Sequence, residues 1–419
     1  MTSDLAWINA AITSARPQAV GALLRYFRNL DTAEEAFQDA CLRALKNWPT
    51  NGPPRDPAAW LIMVGRNAGI DGTRKRKRET GLPEEDRISD TDDVEAPLAE
   101  RLDNADYRDD ILRLLFVCCH PELPNTQQIA LALRIVSGLS VAQIARLFLV
   151  GETAMEQRIT RAKSRIAADG ARFETPNAVD RAERLAAVAT MLYLVFTEGY
   201  SASNAKEGET RAPLCEEAIR LTRLLLALFP SEPEIMGLLA LMLLQDSRRT
   251  ARFDANGALV LLDDQDRAQW DHRAIGEGLA LIDKAIRHRR PGSYQVQAAI
   301  AALHARAATP ADTDWSEIAL LYATLERLQP SPVVTLNRAV AVSKVDGPAA
   351  ALALIEPLAK PLDNYFYYHG LKGMMLRELG RAHEARAAFD RAISLAKSPA
   401  EAAHIRMHLD ALGSEKKAS

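Results

Sequence analysis

The sequence predicts an all-α protein of two small helical domains, the second with a helix-turn-helix, followed by an α-helical repeat domain. Three observations carry this. Apolar residues recur at helical spacing over residues 31–45 and 140–166. From about residue 177 to 413 the chain is rich in Ala and Leu, with Pro and Gly punctuating helix-length segments. Inside that half the sequence repeats at a shift of about 34 residues. Ala339 matches Gly373, Ala351 matches Ala385, Ile355 matches Phe389, and Leu358 matches Ala392.

Residues 31–45, DTAEEAFQDACLRAL, read as an amphipathic helix with an acidic first turn. Its apolar stripe is Ala33, Ala36, Phe37, Ala40, Cys41, Ala44 and Leu45. Glu34, Glu35, Gln38, Asp39 and Arg43 lie mostly off that stripe, where they either meet a partner protein or are simply solvated. A Pro-rich loop, NWPTNGPPRDP, precedes the next helix, AAWLIMVGRNAGIDGTRKRKRE. Trp60, Leu61, Val64 and Ala68 can be buried there, while Arg66, Asn67, Asp71, Arg74, Lys75, Arg76, Lys77 and Arg78 cannot all be. The five consecutive cations form an electrostatic footprint for phosphate, with a solvated charge run as the plain alternative.

Residues 81–110 are acidic, with Glu84, Glu85, Asp86, Asp90, Asp92, Asp93, Glu95, Glu100 and Asp103, and read as a flexible linker. A second domain begins near Ile111. Its CCHPELP segment invites a metal or nucleophile reading at Cys118, Cys119 and His120. Contiguous ligands rarely converge on one ion, so these cysteines are expected to pack as small hydrophobes.

Residues 140–166, SVAQIARLFLVGETAMEQRITRAKSRI, then read as a helix-turn-helix. Ser140 is the expected N-cap, Val141, Ile144, Ala145 and Phe148 the apolar face, and Gly151 the turn. The second helix carries Gln157, Arg158, Arg161, Lys163 and Arg165 on its exposed side, which suits insertion into a DNA major groove.

Together these motifs resemble the extracytoplasmic-function sigma factors of bacterial RNA polymerase, in a subgroup with a C-terminal tetratricopeptide-like helical extension. The resemblance covers roughly residues 6–170 and rests on the order and separation of the motifs. It implies that Asp31, Glu34, Glu35, Gln38 and Asp39 bind core polymerase. It implies that the helix from Trp60 to Arg78 handles the −10 element and that the helix-turn-helix reads the −35 element. On the second helix, Glu156, Gln157 and Arg161 would face base edges, with Arg158 and Lys163 nearer phosphate or packing. Melting a promoter also calls for a flat ring to stack on unpaired bases. Trp60 precedes an apolar run and is assigned to the core, so Trp48 is the ring expected to do this. Two positions depart from the family pattern: Leu149 replaces the glycine common in the turn, and Glu156 replaces a basic residue.

The resulting organisation is a core-polymerase and −10 domain at 6–80, an acidic linker at 81–107, a −35 domain at 108–172 and a regulatory extension at 177–413. The later repeat copy, GMMLRELGRAHEARAAFDRAISLAKSP, resembles a tetratricopeptide repeat, with Gly373, Gly380, Ala385, Phe389 and Ala392 at the packing positions. Asp346-Gly347-Pro348 resembles a motif of that extension and is also a good turn sequence on its own. Tyr365, Phe366, Tyr367 and Tyr368 are candidate contacts for a protein partner of the extension, with at least two of them expected in its core.

The 419 residues carry a formal net charge of −3, so the basic patches are local. The four cysteines form no CxxC pair, which argues against a disulfide framework or structural zinc, and neither a cofactor nor a metal is expected. With no signal segment or long uncharged apolar run, a cytoplasmic protein without membrane contact is expected. The expected partners are core RNA polymerase and promoter DNA, both duplex and melted. Three rival readings are a helix-turn-helix regulator acting without polymerase, an enzyme using Cys118, Cys119 and His120, and a scaffold in which only the repeats matter. The first leaves the 31–45 helix and the Arg74–Arg78 cluster without a role, and no general base, phosphate loop or cofactor fingerprint supports the second.

Overall fold

A computed structural model describes residues 3–52, 54–79, 104–120, 122–168, 178–201, 205–256, 260–396 and 399–418. Among them the regular elements are helices, with no strand. The chain divides into two compact units, Met1–Val195 and Phe196–Ser419. The division falls inside one continuous helix, Ala178–Tyr200, rather than at the composition change near residue 177.

The first unit opens with three helices that pack on one another: α1 (Ser3–Phe27), α2 (Leu30–Asn51) and α3 (Pro57–Glu79). Asn29 caps α2, its side chain accepting from the Thr32 amide at 2.9 Å. Asp56 caps α3 by accepting from the Ala58 and Ala59 amides. Ala33, Ala36, Phe37, Ala40 and Ala44 of α2 are buried against Leu23 and Leu24 of α1 and Leu61 of α3. The expected stripe is narrower than drawn, because Leu45 is exposed and Cys41 only half-buried.

The Pro-rich loop is also shorter than the sequence suggests. Helix α2 runs through Pro49 to Asn51 and stops at Gly52, whose φ of 78° suits only glycine. A proline in the last turn forfeits a single helical hydrogen bond, so the helix survives it. Trp48 consequently lies within the helix.

The second domain of this unit comprises α4 (Asn104–Cys118), α5 (Asn125–Ile135), α6 (Val141–Leu147) and α7 (Glu152–Ala168), before α8 (Ala178–Tyr200). Cys118 and Cys119 are buried among Ile111, Leu114 and Leu115 as expected of small hydrophobes. Burial pushes both thiols well above their usual range. A thiol so held stays protonated, which opposes nucleophilic or metal-binding chemistry.

The second unit continues with α9 (Ala205–Leu228) and α10 (Pro233–Asp246). Residues Ile235 through Leu244 are all buried, because α9, α11 (His272–Ile286) and α12 (Ser293–Arg306) pack around α10. No described helix is long and apolar enough to cross a membrane. Successive pairs follow: α13 (Trp315–Leu328) with α14 (Pro332–Asp346), α14 with α15 (Pro348–Ile355), and α16 (Phe366–Glu378) with α17 (Ala382–Leu395), then α18 (Pro399–Ala418). Gly373 explains the close approach of α16 and α17: a methyl group there would lie 2.5 Å from the Phe389 ring. Ala339, Ala351 and Ile355, the equivalents one repeat earlier, are fully buried in the same core as Phe389. Gly347 links α14 to α15 with φ 86°, so Asp346-Gly347-Pro348 forms a turn.

Candidate nucleic-acid interface

The helix-turn-helix is built by local rules. Ser140 and Gln143 form a capping box: the Ser140 hydroxyl accepts from the Gln143 amide at 3.1 Å and the Gln143 side chain accepts from the Ser140 amide at 2.8 Å. The turn itself is made differently from the sequence expectation. Leu149, not Gly151, takes the left-handed conformation, with φ 54°. The Leu149 and Val150 amides donate back to Arg146 and Ala145, closing the turn. Gly151 instead starts α7, its carbonyl accepting from the Met155 amide.

Helix α7 buries Met155, Ile159, Ala162 and Ile166 and exposes Glu156, Gln157 and Arg161. Arg158 is half-buried. Lys163 departs from this outward face: its Nζ donates to Asp31 Oδ1 at 2.8 Å and to Glu34 Oε2 at 2.6 Å. Burial works against the Lys163 ammonium, but the hydrogen bonds to Asp31 and Glu34 outweigh it and hold its pKa above the ordinary value.

On α2, Glu35, Gln38 and Asp39 are exposed, as is Asp31 beside Lys163. Glu34 is not part of that outer face. It is 5% exposed, with Arg16, Arg134 and Lys163 around its carboxylate. Its partners come from helices distant in sequence, so nothing local in residues 31–45 signals its burial. Two apolar residues extend the exposed face instead: Leu42, 58% exposed, and Leu45. With Glu35, Gln38 and Asp39 they form one continuous helical strip.

Trp48 also departs from expectation. It is 2% exposed, stacked on Trp7 with ring centroids 6.2 Å apart and edge-on to Trp60 at 5.3 Å. The ring is therefore core and cannot receive a base. An exposed aromatic of this domain lies instead near the far end of α1: Tyr26, 46% exposed, with the Arg66 guanidinium 4.3 Å above its ring. Arg66 and Asn67 are exposed on α3. Asp71, Arg74, Lys75, Arg76, Lys77 and Arg78 continue that helix, and their side chains lie outside the described residues.

A capped helix-turn-helix with an exposed polar and basic second helix is that of a DNA-binding protein, here joined to a three-helix domain. Sigma-70 region 2 matches residues 11–79 and Sigma-70, region 4 matches residues 113–166. A family of unknown function (DUF6596) matches residues 184–286. A protein of Rhizobium meliloti (strain 1021), named only as uncharacterized, is 72% identical over 413 residues, 99% of this chain and 97% of its own length. The ECF RNA polymerase sigma factor EcfG of Rhodopseudomonas palustris (strain TIE-1) is 29% identical over 180 residues, 42% of this chain and 91% of that protein. The ECF RNA polymerase sigma factor SigM of Mycobacterium tuberculosis is 28% identical over 140 residues, 33% of this chain and 65% of that protein.

These matches identify sigma-70 regions 2 and 4 of the extracytoplasmic-function type in the first part of the chain, followed by a C-terminal helical extension. Sigma factors are non-enzymatic initiation factors whose partners are core RNA polymerase and promoter DNA.

Proposed function

We propose that the outer strip of α2 binds core polymerase, that α3 captures and melts the −10 element, and that α7 reads the −35 element. The observation that carries this is the sorting of α2. Its small residues are consumed by the core, while Glu35, Gln38, Asp39, Leu42 and Leu45 remain outside. Apolar residues exposed on the same strip as carboxylates suit a protein interface.

In this reading residues 6–80 and 108–172 are the two promoter-handling domains, tethered by the acidic segment 81–107. Glu156, Gln157 and Arg161 face base edges, and Arg158 supports them. Arg66, Asn67, Asp71 and the Arg74–Arg78 run contact the melted strand and its phosphates. The working site is cytoplasmic, where polymerase and promoter are found.

The extension, residues 177–413, controls initiation by docking on a protein. Ile286, Leu320, Tyr367 and Met407 are exposed on it, which supports a partner surface. Phe366 and Tyr368 are taken by the core, leaving Tyr367 as the outward member of the aromatic run. The test is transcription by purified core polymerase with the whole chain and with a chain ending at residue 176. A difference in promoter output supports control by the extension. Equal output under inducing and non-inducing conditions would remove it.

A further inference from the structure

Three arginines of the second unit carry charges that the chain does not neutralise. Arg248 and Arg252 follow α10, and Arg267 lies in the segment leading to α11. Their neighbour Arg249 is paired with Glu216 at 2.8 Å and with Asp246 at 2.7 Å. Arg248, Arg252 and Arg267 form no ion pair among the described residues. Each is held by a neutral acceptor instead. Arg248 Nη2 donates to the Tyr200 hydroxyl at 2.8 Å, and Arg252 Nη1 donates to the Tyr200 carbonyl at 2.6 Å. Arg267 Nη1 donates to the His304 and Ala307 carbonyls at 2.6 and 2.8 Å.

Helix capping accounts for part of this. The last carbonyls of α8 and α12 carry partial negative charge, and an arginine there is an ordinary cap. The rest of Arg267 is unexplained by it. With Nη1 fixed, Nε and Nη2 form the free edge of the guanidinium, and both are buried without an acceptor. The Trp270 ring lies 4.7 Å from the same guanidinium, and its Nε1–H is also buried without an acceptor. Buried donors are nearly always satisfied in folded chains, so such a group calls for a missing acceptor. The surroundings are positive as well. Burial, then Arg248 and Arg267, push the His304 ring down to about 4 against the opposing charge of Asp263. Asp263 and Asp312 attract Arg267 from beyond ion-pair distance, while Arg248 repels it.

We propose that Arg267 and Trp270, with Arg248 beside them, form a binding site for a tetrahedral oxyanion of two charges, inorganic phosphate or a small phosphate monoester. The site is independent of the promoter roles given to the first unit. The Nε–Nη2 edge presents two parallel N–H groups, the fork that takes two oxygens of one phosphate. The Trp270 N–H offers a further donor. Charge separates the candidate anions. A carboxylate brings one charge and two oxygens, whereas a phosphate monoester brings about two charges and three acceptor oxygens, nearer to what three uncompensated guanidiniums demand. The donors lie close to the surface, because Asp266 and Ala268 on either side of Arg267 are exposed, as are Asp263 and Asp264. An anion reaches them by a shift of the short 3-10 turns Leu262–Asp264 and Arg267–Gln269, with the helices left in place.

The test is titration calorimetry and thermal melting of the full chain with inorganic phosphate and with glycerol phosphate. Succinate, and sodium chloride at matched ionic strength, serve as comparisons. The expected result is saturable binding of phosphate with a melting temperature raised by several degrees, and no such response to succinate or chloride. Trp270→Phe keeps the ring and removes its N–H, and should weaken phosphate binding several-fold. Arg248→Gln should do the same by removing one charge. Arg267→Lys keeps the charge and loses the fork, and should weaken binding at least tenfold. Phosphate should also slow amide hydrogen exchange over residues 260–271 of the parent chain.

No saturable response to either phosphate compound from the folded parent overturns the site. Undiminished affinity in both Trp270→Phe and Arg248→Gln does so too. These two variants decide the matter if Arg267→Lys fails to fold after losing its grip on the end of α12. Succinate binding as tightly as phosphate would overturn the choice of a phosphate group. Tighter binding of glycerol phosphate than of inorganic phosphate supports a phosphorylated small molecule as the ligand, and the reverse order supports the free ion.

Discussion

The Arg66 guanidinium lies 4.3 Å above the Tyr26 ring, and this pair faces solvent at the junction of α1 and α3. It offers what Trp48 was expected to supply, an aromatic face and a cation together. A base stacked on such a platform is worth about 1–3 kcal/mol. Tyr26→Ala should therefore lower open-complex formation about tenfold while leaving binding to closed duplex unchanged, and Tyr26→Phe should restore it. Permanganate footprinting of the melted region checks this. Wild-type melting by Tyr26→Ala would return the stacking role to another residue.

Leu42 and Leu45 make the polymerase-facing strip of α2 apolar as well as acidic. Leu42→Glu with Leu45→Glu should weaken core-polymerase binding at least tenfold, as loss of a buried interface anchor costs about 2 kcal/mol. The melting temperature should stay the same, because neither side chain is part of the helical core. Binding at wild-type affinity would place the interface elsewhere.

The turn of the helix-turn-helix is strained. Leu149 holds φ 54° and is 57% exposed, so its side chain contributes little burial to offset a left-handed backbone. Leu149→Gly should raise stability by about 1 kcal/mol, read as a higher urea midpoint with an unchanged slope. A lower midpoint would mean that Leu149 is held by contacts the free chain needs.

His304 sets an acid limit on the second unit. Burial pushes its pKa down from 6.5 to about 4, helped by Arg248 and Arg267 against the opposing charge of Asp263. The ring stands edge-on to Trp315 at 5.3 Å, and the His304 carbonyl accepts from Arg267 at 2.6 Å. Because the folded value lies below the unfolded one, the unfolded chain takes up the proton first. The contribution is whole above pH 6.5 and is lost as pH falls towards 4. Thermal melting between pH 7 and 4.5 should show this loss, and His304→Gln should remove the part due to this ring. An identical slope in the variant would assign the acid sensitivity to other groups.

How much of this was legible in the sequence depends on the range of the interactions. The apolar positions Ala33, Ala36, Phe37, Ala40 and Ala44, the Ser140 cap and the α16–α17 packing residues follow from periodicity and local hydrogen bonding, and each stands where the pattern places it. Glu34 does not, because the cations that bury it arrive from Arg16, Arg134 and Lys163. Trp48 is not legible from the pattern, because Pro49 points to a loop while the helix tolerates it in its last turn. At the turn, residue type alone points to Gly151, whereas the left-handed conformation falls on Leu149. The strip Leu42 and Leu45 was hidden because apolar residues at helical spacing are ordinarily assigned to the core.

The central claim is that the outer face of α2 joins this chain to core polymerase and so starts transcription at chosen sites. Its most direct test is run-off transcription from a library of genomic fragments, using purified core polymerase with the full chain or its Leu42→Glu, Leu45→Glu variant. The account predicts discrete start sites that share paired upstream elements, present with the native chain and lost with the variant. Start sites no different from those of core polymerase alone, from a folded chain, would contradict it.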